Sequence, residues 1–356
     1  MQRWTRNTIA LVAVIAVAGV GVAEYVTSSA PSNPCSGVAL GLPSGNSSAA
    51  SLTHLVSHGA SAPTGRLVPH RVRPASASPL PVVAAENFWG SLVSQLGGNQ
   101  TSVLSIVTDP NADPHEYEAN TSDARAIASA DFVIVNGVGY DQWALDLIAA
   151  DGNSNQIVLN VGDLNGVTVG GGIVSGNPHM WYNPVYVNRT VAAMYSDLVS
   201  LRPSATSIFQ ANYAAMNVTL GQLYARANEI RAQFAGTIVA STESIFVYLA
   251  NYTGLDLISP PAFMEAIAEG NDPPPQSVVQ FECQLESGKV RVMVYNEQTL
   301  TPIAENMKAI AAANNVTVIG VTETIQPINP PVTYQVWMNA QYLELQNALN
   351  ANALGS

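Results

Sequence analysis

DPHEYEANTSDARAIASADFVIVNGVGYDQW, residues 113–143, contains one complete unit of the fold. Thr121-Ser122-Asp123 offers helix caps ahead of an Ala-rich stretch, Ala124 to Ala130. Phe132 to Val135 follows as an unbroken apolar run. Such a run is expected of a strand buried on both faces, as in a parallel sheet covered by helices. Asn136-Gly137 then supplies a turn, and Asp141 to Ala150 reads as the next helix.

The same alternation extends in both directions. Val103 to Val107 and Ile157 to Asn160 read as strands flanking this unit. Beyond Pro184 the strand signals stop, and two helices are expected, over Val187–Leu201 and Ser204–Phe234. A thirty-residue helix reaches about 45 Å, enough to run from one lobe to another. The alternation then resumes with strand Thr237–Ala240, helix Ile245–Tyr252 and strand Leu257–Ser259. After a Pro-rich loop come helix Ser277–Ser287, strand Val290–Tyr295, helix Pro302–Asn314, strand Val316–Ile319 and helix Thr333–Asn350. This order predicts an α/β protein of two lobes with mainly parallel sheets. The expected N-terminal lobe covers residues 82–203, a rigid linker helix 204–235, and the C-terminal lobe 236–356.

Ahead of the lobes, Arg3 and Arg6 precede an uncharged run from Ile9 to Ala23. Residues 1–27 therefore read as a signal peptide or N-terminal anchor, which puts the body outside the cytoplasm, with membrane association through this segment left open. Residues 28–81 are rich in Ser, Ala and Pro and lack apolar periodicity, as expected of a flexible tether. From residue 82 onward there are 8 Lys and Arg against 24 Asp and Glu, a net charge of −16. That balance excludes nucleic acid as a partner and attracts cations. The chain has two cysteines, Cys35 and Cys283, so neither a disulfide scaffold nor a thiolate metal cluster is expected. Cys283 reads as a small buried apolar residue, and Cys35 lies too far behind the apolar run to be a lipid attachment point.

The chemistry concentrates in histidine. Of five histidines, His54, His58 and His70 lie in the tether, and the body keeps His115 and His179. Both follow proline, which fixes its own φ and stiffens the loop that presents the imidazole. No HExxH, GxSxG, P-loop or GxGxxG pattern occurs. Two imidazoles cannot fill a four-coordinate site, and ligands of open parallel sheets gather at the carboxyl ends of strands. Glu243 follows the Thr237–Ala240 strand and Glu323 follows the Val316–Ile319 strand. Acidic residues at such points also serve as helix caps or dipole partners, so the residues alone leave both readings open.

Four stretches in order carry a family resemblance. The 113–143 stretch resembles the first signature of the zinc/manganese-type solute-binding proteins of metal ABC transporters. GNPHMWYNP (176–184) is similar to their Asp-Pro-His-x-Trp-x-x-Pro motif, with Asn177 in place of the usual aspartate. STESIFVYLANYTGL (241–255) resembles the third motif, and VTETIQPINPPVTYQVWMNAQYLEL (321–345) the fourth. The resemblance implies one metal ion per chain, Zn2+ or Mn2+, carried as transported ligand in the interlobe cleft. Its ligands would be His115 and His179 from one lobe, Glu243 and Glu323 from the other. Glu323 stands where the family usually has aspartate, and Glu243 in place of histidine is associated with manganese-type members. Asp109, Asp113, Glu116 and Glu118 are candidates to orient the imidazoles, Trp181 and Tyr182 to pack the lobes, and residues 268–272 to shape the cleft.

The expected function is that of a monomeric extracytoplasmic binding protein delivering metal to an ABC permease, not an enzyme. Two rivals remain at this stage: a metallohydrolase with the same ligands and an open water position, and a binding protein for a metal chelate. A rigid linker helix also predicts small lobe motion on binding.

Overall fold

The structure is a computed structural model that describes residues 35, 38–41, 78–151, 153–326 and 332–351. Segment 1–27 and most of 28–81, read above as leader and tether, lie outside the described residues.

Two four-stranded sheets form the framework, and every strand pairing in them is parallel. The first contains β1 (Leu80–Glu86), β2 (Thr101–Val107), β3 (Phe132–Val135) and β4 (Ile157–Asn160) in the order β2-β1-β3-β4. The second contains β5 (Ile238–Ser241), β6 (Asp256–Leu257), β7 (Val292–Asn296) and β8 (Thr317–Val321) in the order β6-β5-β7-β8. The wiring is the same in both lobes although no sequence repeat betrays it. In each sheet the chain steps one way from the first strand and then crosses back. The reversal falls between β1 and β3, and again between β5 and β7. Crevices at such reversals, at the carboxyl ends of the strands, are where open α/β sheets hold ligands.

Helices connect the strands. In the first lobe they are α1 (Asn87–Gly97), α2 (Thr121–Ser129), α3 (Gln142–Asp151), α4 (Val161–Asn165) and α5 (Gly172–Ser175). Next come α6 (Pro184–Leu201) and α7 (Thr206–Phe234), the latter 29 residues long. The second lobe adds α8 (Val247–Thr253), α9 (Pro261–Ala268), α10 (Pro275–Glu286), α11 (Pro302–Ala313) and α12 (Tyr334–Ala351). Among the described residues no helix is long and apolar enough to cross a membrane.

Local chemistry accounts for most boundaries. The α2 cap is Asn120, one residue ahead of the expected caps: its side chain accepts the Ser122 N–H at 2.7 Å, and Asp123 accepts the Asn120 N–H at 2.8 Å. Strand β3 is buried throughout, as its unbroken apolar run requires. Gly137 follows it at φ +77, where a side chain would run into Asn160. Pro184 opens α6 behind an Asn183 cap. Strand β1 and helix α1 precede the alternation read from the sequence. Their seven-residue run LPVVAAE starts at Leu80, two residues ahead of position 82.

Both faces of each sheet are covered. One apolar core runs through the molecule, from Val82 and Ile134 of the first sheet, past Leu220 and Ile230 of α7, to Val292 and Ile319 of the second. Smaller cores fill the outer faces, one under α2 and α3, the other under α10 and α11. Helix α7 therefore crosses a shared core and does not bridge open solvent.

The cysteine expectation is overturned. Cys35 and Cys283 form a disulfide across 248 residues, with Cα atoms 5.4 Å apart. The Gln284 amide also donates to the Leu40 carbonyl at 2.7 Å. This part of the expected tether is thus docked on α10 of the second lobe. A count of two cysteines rules out a scaffold of several bridges but says nothing against one bridge between distant positions.

Candidate metal centre

His115 sits in a one-turn 3-10 helix, Pro114–Glu116, beyond β2. Asp113 caps that turn by accepting the His115 N–H at 2.9 Å. The second lobe holds the loop as well: Gln298 donates to the Ala112 carbonyl at 2.8 Å, and the Thr299 hydroxyl to Asp113 at 3.3 Å. His179 precedes a second 3-10 turn, Met180–Tyr182. Its loop is pinned by Asn136, whose amide donates to the Pro178 carbonyl at 2.9 Å and whose oxygen accepts the Trp89 indole N–H.

Asn177 fixes the imidazole itself. Its Oδ1 lies 2.8 Å from His179 Nδ1, and a side-chain carbonyl can only accept, so Nδ1 carries the proton. His179 Nε2 is then a bare lone pair. Burial pushes the His179 pKa below its ordinary value, which keeps the ring neutral.

Glu243 follows β5 and Glu323 follows β8, both at the carboxyl end of the second sheet, and both are fully buried. The main chain at Glu323 is anchored by Gln298, whose Oε1 accepts the N–H of Glu323 at 2.7 Å and of Thr324 at 3.1 Å. Glu323 Oε2 lies 3.6 Å from His115 Nε2 and 3.7 Å from His179 Nε2. Donor atoms of these three residues all fall within 4.8 Å of one another. Glu243 stands slightly further back, its Oε1 3.9 Å from His179 Nε2. Both Nε2 atoms and Glu243 Oε2 are buried without a hydrogen-bond partner. Spacings of this size are too long for hydrogen bonds. They match the roughly 3.4 Å edge of a tetrahedron whose ligands lie about 2.1 Å from a central ion.

Two further residues complete the centre, and neither was singled out from sequence. The Tyr140 hydroxyl donates to Glu323 Oε2 at 2.5 Å, and its ring stands edge-on to His115 with centroids 4.7 Å apart. The Asn296 amide, at the end of β7, reaches Glu323 Oε1 at 2.5 Å and Glu243 Oε1 at 2.9 Å. A polar residue closing an apolar strand at the sheet reversal was the available signal for Asn296. Tyr140 carried none.

Of the four acids expected to support the histidines, Asp113 alone reaches one, through the His115 main chain. Asp109, Glu116 and Glu118 are exposed. The orienting role at His179 falls to Asn177. Trp181 stacks on Phe88 at 4.1 Å, and Tyr182 donates to Gln341 Oε1 of the other half at 2.6 Å.

The electrostatics of the cleft are those of crowded carboxyls. Burial, then the Glu323 charge, pushes Glu243 well above the carboxylate range. Burial also acts upward on Glu323, but the neighbouring imidazoles of His115 and His179 and the hydrogen bond from the Tyr140 hydroxyl outweigh it, holding that group at about 2. Glu86, buried at the end of β1, is raised by burial and by the neighbouring Asp141, which burial itself raises to about 6. A cavity of about 430 Å³ opens beside His115, bordered by Tyr140, Asn177, Ser244, Glu265 and Glu269.

The model of the family described as zinc-uptake complex component A, periplasmic (ZnuA), matches residues 82–348. This chain belongs to the ZnuA family. The manganese-binding lipoprotein MntA of Halalkalibacterium halodurans is 30% identical over 147 residues, 40% of this chain and 47% of that protein. The zinc-binding protein TroA of Treponema pallidum is 22% identical over 158 residues, 43% of this chain and 51% of that one. The matched stretches thus span about half the length of these relatives. Among solved structures, periplasmic zinc-binding TroA from Treponema pallidum superposes with a TM-score of 0.64 at 17% identity, covering 76% of this chain and 99% of that one. FpvC from Pseudomonas aeruginosa, solved in complex with Mn2+, gives 0.64 at 20% identity, covering 77% and 99%. At these identities the structural likeness shows the ZnuA-type fold, two parallel-sheet α/β lobes with a long helix.

Proposed function

We propose that this ZnuA-family chain is an extracytoplasmic solute-binding protein that captures one divalent transition-metal ion, Zn2+ or Mn2+. It then delivers the ion to an ABC import permease. Binding, not catalysis, is its task, and the monomer is the working unit. Residues 82–203 and 236–356 act as the two lobes around the 204–235 helix. Residues 1–27 serve as leader or anchor, and 28–81 link it to the lobes, apart from the part docked on α10 through Cys35 and the start of β1 at Leu80.

One observation carries the reading: two buried, unpartnered imidazole Nε2 atoms converge on the same carboxylate oxygen, Glu323 Oε2. Leaving such lone pairs buried and facing a carboxylate is costly, and a cation between them removes the cost. His115 and His179 would each give Nε2, and Glu323 and Glu243 one carboxylate each. Two carboxylates neutralise a divalent ion, so capture leaves no net charge in the closed site. Relatives named for manganese, zinc and iron binding are all similar to this chain, so similarity alone does not select among these metals. In the Irving–Williams order Zn2+ outcompetes Mn2+ at nitrogen-containing sites.

The test is elemental analysis of protein purified without chelator, for wild type, His115→Ala and Glu323→Ala. About one equivalent in wild type and a large loss in both variants is expected. Equal metal in all three would show that the site lies elsewhere. Affinity should also fall as the imidazoles protonate below about pH 6.5.

A further inference from the structure

Asn296 is 1% exposed and closes the central strand β7, between the strands that deliver Glu243 and Glu323. Its Nδ2 carries two hydrogens, and three acceptors lie within reach: Glu323 Oε1 at 2.5 Å, Glu243 Oε1 at 2.9 Å and Thr299 Oγ1 at 3.0 Å, of which the two carboxylates are the stronger. The amide orientation is fixed independently, because Asn296 Oδ1 accepts the Gln298 N–H at 3.0 Å. Turned over, the amide would set its oxygen against both carboxylates and lose that bond.

Each glutamate is thereby held at one oxygen, Oε1, which restrains rotation of its carboxylate. On Glu323 the remaining oxygen, Oε2, also accepts the Tyr140 hydroxyl, so a single lone pair points at the histidines. On Glu243 the held oxygen, Oε1, is also the one that stands 3.9 Å from His179 Nε2, and Oε2 is buried and unpartnered. Coordination through both oxygens of either carboxylate would require turning its plane against an amide hydrogen bond to a charged acceptor in a buried site. Such bonds are among the stronger ones in proteins.

We infer that Asn296 sets metal selectivity by clamping one oxygen of each glutamate and so enforcing one-oxygen coordination. The inference rests on the metal-centre reading proposed above. With His115 and His179, two one-oxygen carboxylates give a four-ligand N2O2 set. Zn2+ accepts that geometry readily, whereas Mn2+ favours six-coordinate, oxygen-rich surroundings. The amide therefore widens the preference for Zn2+ beyond what the donor atoms alone confer. Removing it lets either carboxylate swing to two-oxygen coordination, which benefits Mn2+ more.

The test is a Zn2+/Mn2+ competition titration on wild type, Asn296→Ala and Asn296→Ser. The Zn2+-over-Mn2+ ratio should drop about ten-fold in Asn296→Ala, the equivalent of one charge-assisted hydrogen bond. Asn296→Ser, with one O–H to offer, should fall between. A purely structural residue would weaken both metals together and leave the ratio unchanged, and that result overturns the inference. If wild type binds metal, His115→Ala loses it and the ratio does not move, the metal centre stands and the selectivity role falls. If wild type binds neither metal, both fall. Should Asn296→Ala fail to fold, X-ray absorption on Mn2+-loaded wild type decides: one-oxygen carboxylates support the clamp, and two-oxygen carboxylates overturn it.

Discussion

Asn87 and Ile325 exchange two hydrogen bonds across the lobes: Asn87 Nδ2 donates to the Ile325 carbonyl at 2.9 Å, and its Oδ1 accepts the Ile325 N–H at 3.0 Å. One side-chain amide of the first lobe thus satisfies both main-chain groups of a residue two positions beyond Glu323. The loop that carries a proposed ligand is held from the opposite lobe as well as by Gln298 of its own. Asn87→Ala should cost about 2 kcal/mol, at roughly 1 kcal/mol net per bond. That corresponds to a melting midpoint lower by about 4–8 °C. Metal affinity should fall with it, because Glu323 loses its anchor. Calorimetric melting with and without metal checks both; an unchanged affinity would show that Gln298 alone fixes the loop.

Tyr140→Phe separates ring from hydroxyl. The ring stays against His115, while the donor to Glu323 Oε2 is lost. Partners of metal ligands typically contribute ten-fold or more to affinity by orienting them. The dissociation constant, read by equilibrium titration, should rise about ten-fold, with the fold intact by circular dichroism. An unchanged constant would mean that the Asn296 contact alone orients the carboxylate.

The contrast between these two residues and the histidines explains what was legible in the sequence. Periodicity and capping gave the strand-helix order, because an apolar run such as Phe132–Val135 has one stable environment. The resemblance pointed to His115, His179, Glu243 and Glu323, and the fold brings all four together at sheet ends. Asn87, Tyr140 and the Cys35–Cys283 bridge were not legible. Their meaning lies in contacts across 183 residues between Tyr140 and Glu323, or 248 between the cysteines, and no local pattern encodes a distant partner. Asn177 shows the opposite case. It departs from the usual aspartate of its motif, and the structure shows what the amide adds: its Nδ2 donates to the Ser244 carbonyl of the other lobe at 2.7 Å. A carboxylate could not make that bond.

Metal-free protein should lose stability as pH rises above about 6.5, the reverse of ordinary acid denaturation. Glu86 and Glu243 are both held well above the carboxylate range, chiefly by burial. Above the ordinary carboxylate range the unfolded chain has released both protons, whereas the folded chain gives them up only as pH rises further, so stability falls with pH. His179 works the other way, its pKa being lowered, but only below about 6.5, where the unfolded imidazole is protonated. Asp141 and Asp197, raised to about 6, add to the loss mainly below that point. Melting midpoints of chelator-treated protein should therefore decline from pH 6.5 to 8.5. Glu86→Gln should flatten the decline and raise the midpoint at pH 8.5. A midpoint rising over that interval would contradict the assignment.

Cys35→Ser tests the docked N-terminal segment. The bridge joins that segment to α10, in the outer layer of the second lobe, and none of the four proposed ligands lies on that helix. Loss of a native bridge typically costs about 2–5 kcal/mol in small domains and less where the tethered piece is small. The midpoint should drop by a few degrees while metal affinity stays within about two-fold. A sulfur committed to the bridge cannot carry an acyl chain, so the intact mass should show a disulfide and no lipid at Cys35. An acylated Cys35 would mean that the bridge does not form.

Metal binding should move the lobes very little. The shared apolar core includes residues of both sheets and of α7, so rotation of one lobe would shear packed side chains along that helix. Polar contacts across the cleft add to this. The Tyr334 hydroxyl donates to the Trp181 carbonyl at 2.5 Å, and the Tyr248 hydroxyl to the Asn177 carbonyl at 2.9 Å. The second contact ties the lobes beside His179 itself, so an opening wide enough to expose that imidazole must break it. Access is instead offered from the His115 side, where the imidazole is 19% exposed beside the cavity. A compact body of this size has a radius of gyration of roughly 19 Å. Solution scattering should show a metal-dependent change under about 0.5 Å, far less than hinge closure of two free lobes would give. Tyr248→Phe, which removes one tie without touching a proposed ligand, should speed metal release. A larger contraction in wild type would mean that the shared core parts, and that α7 serves as a hinge.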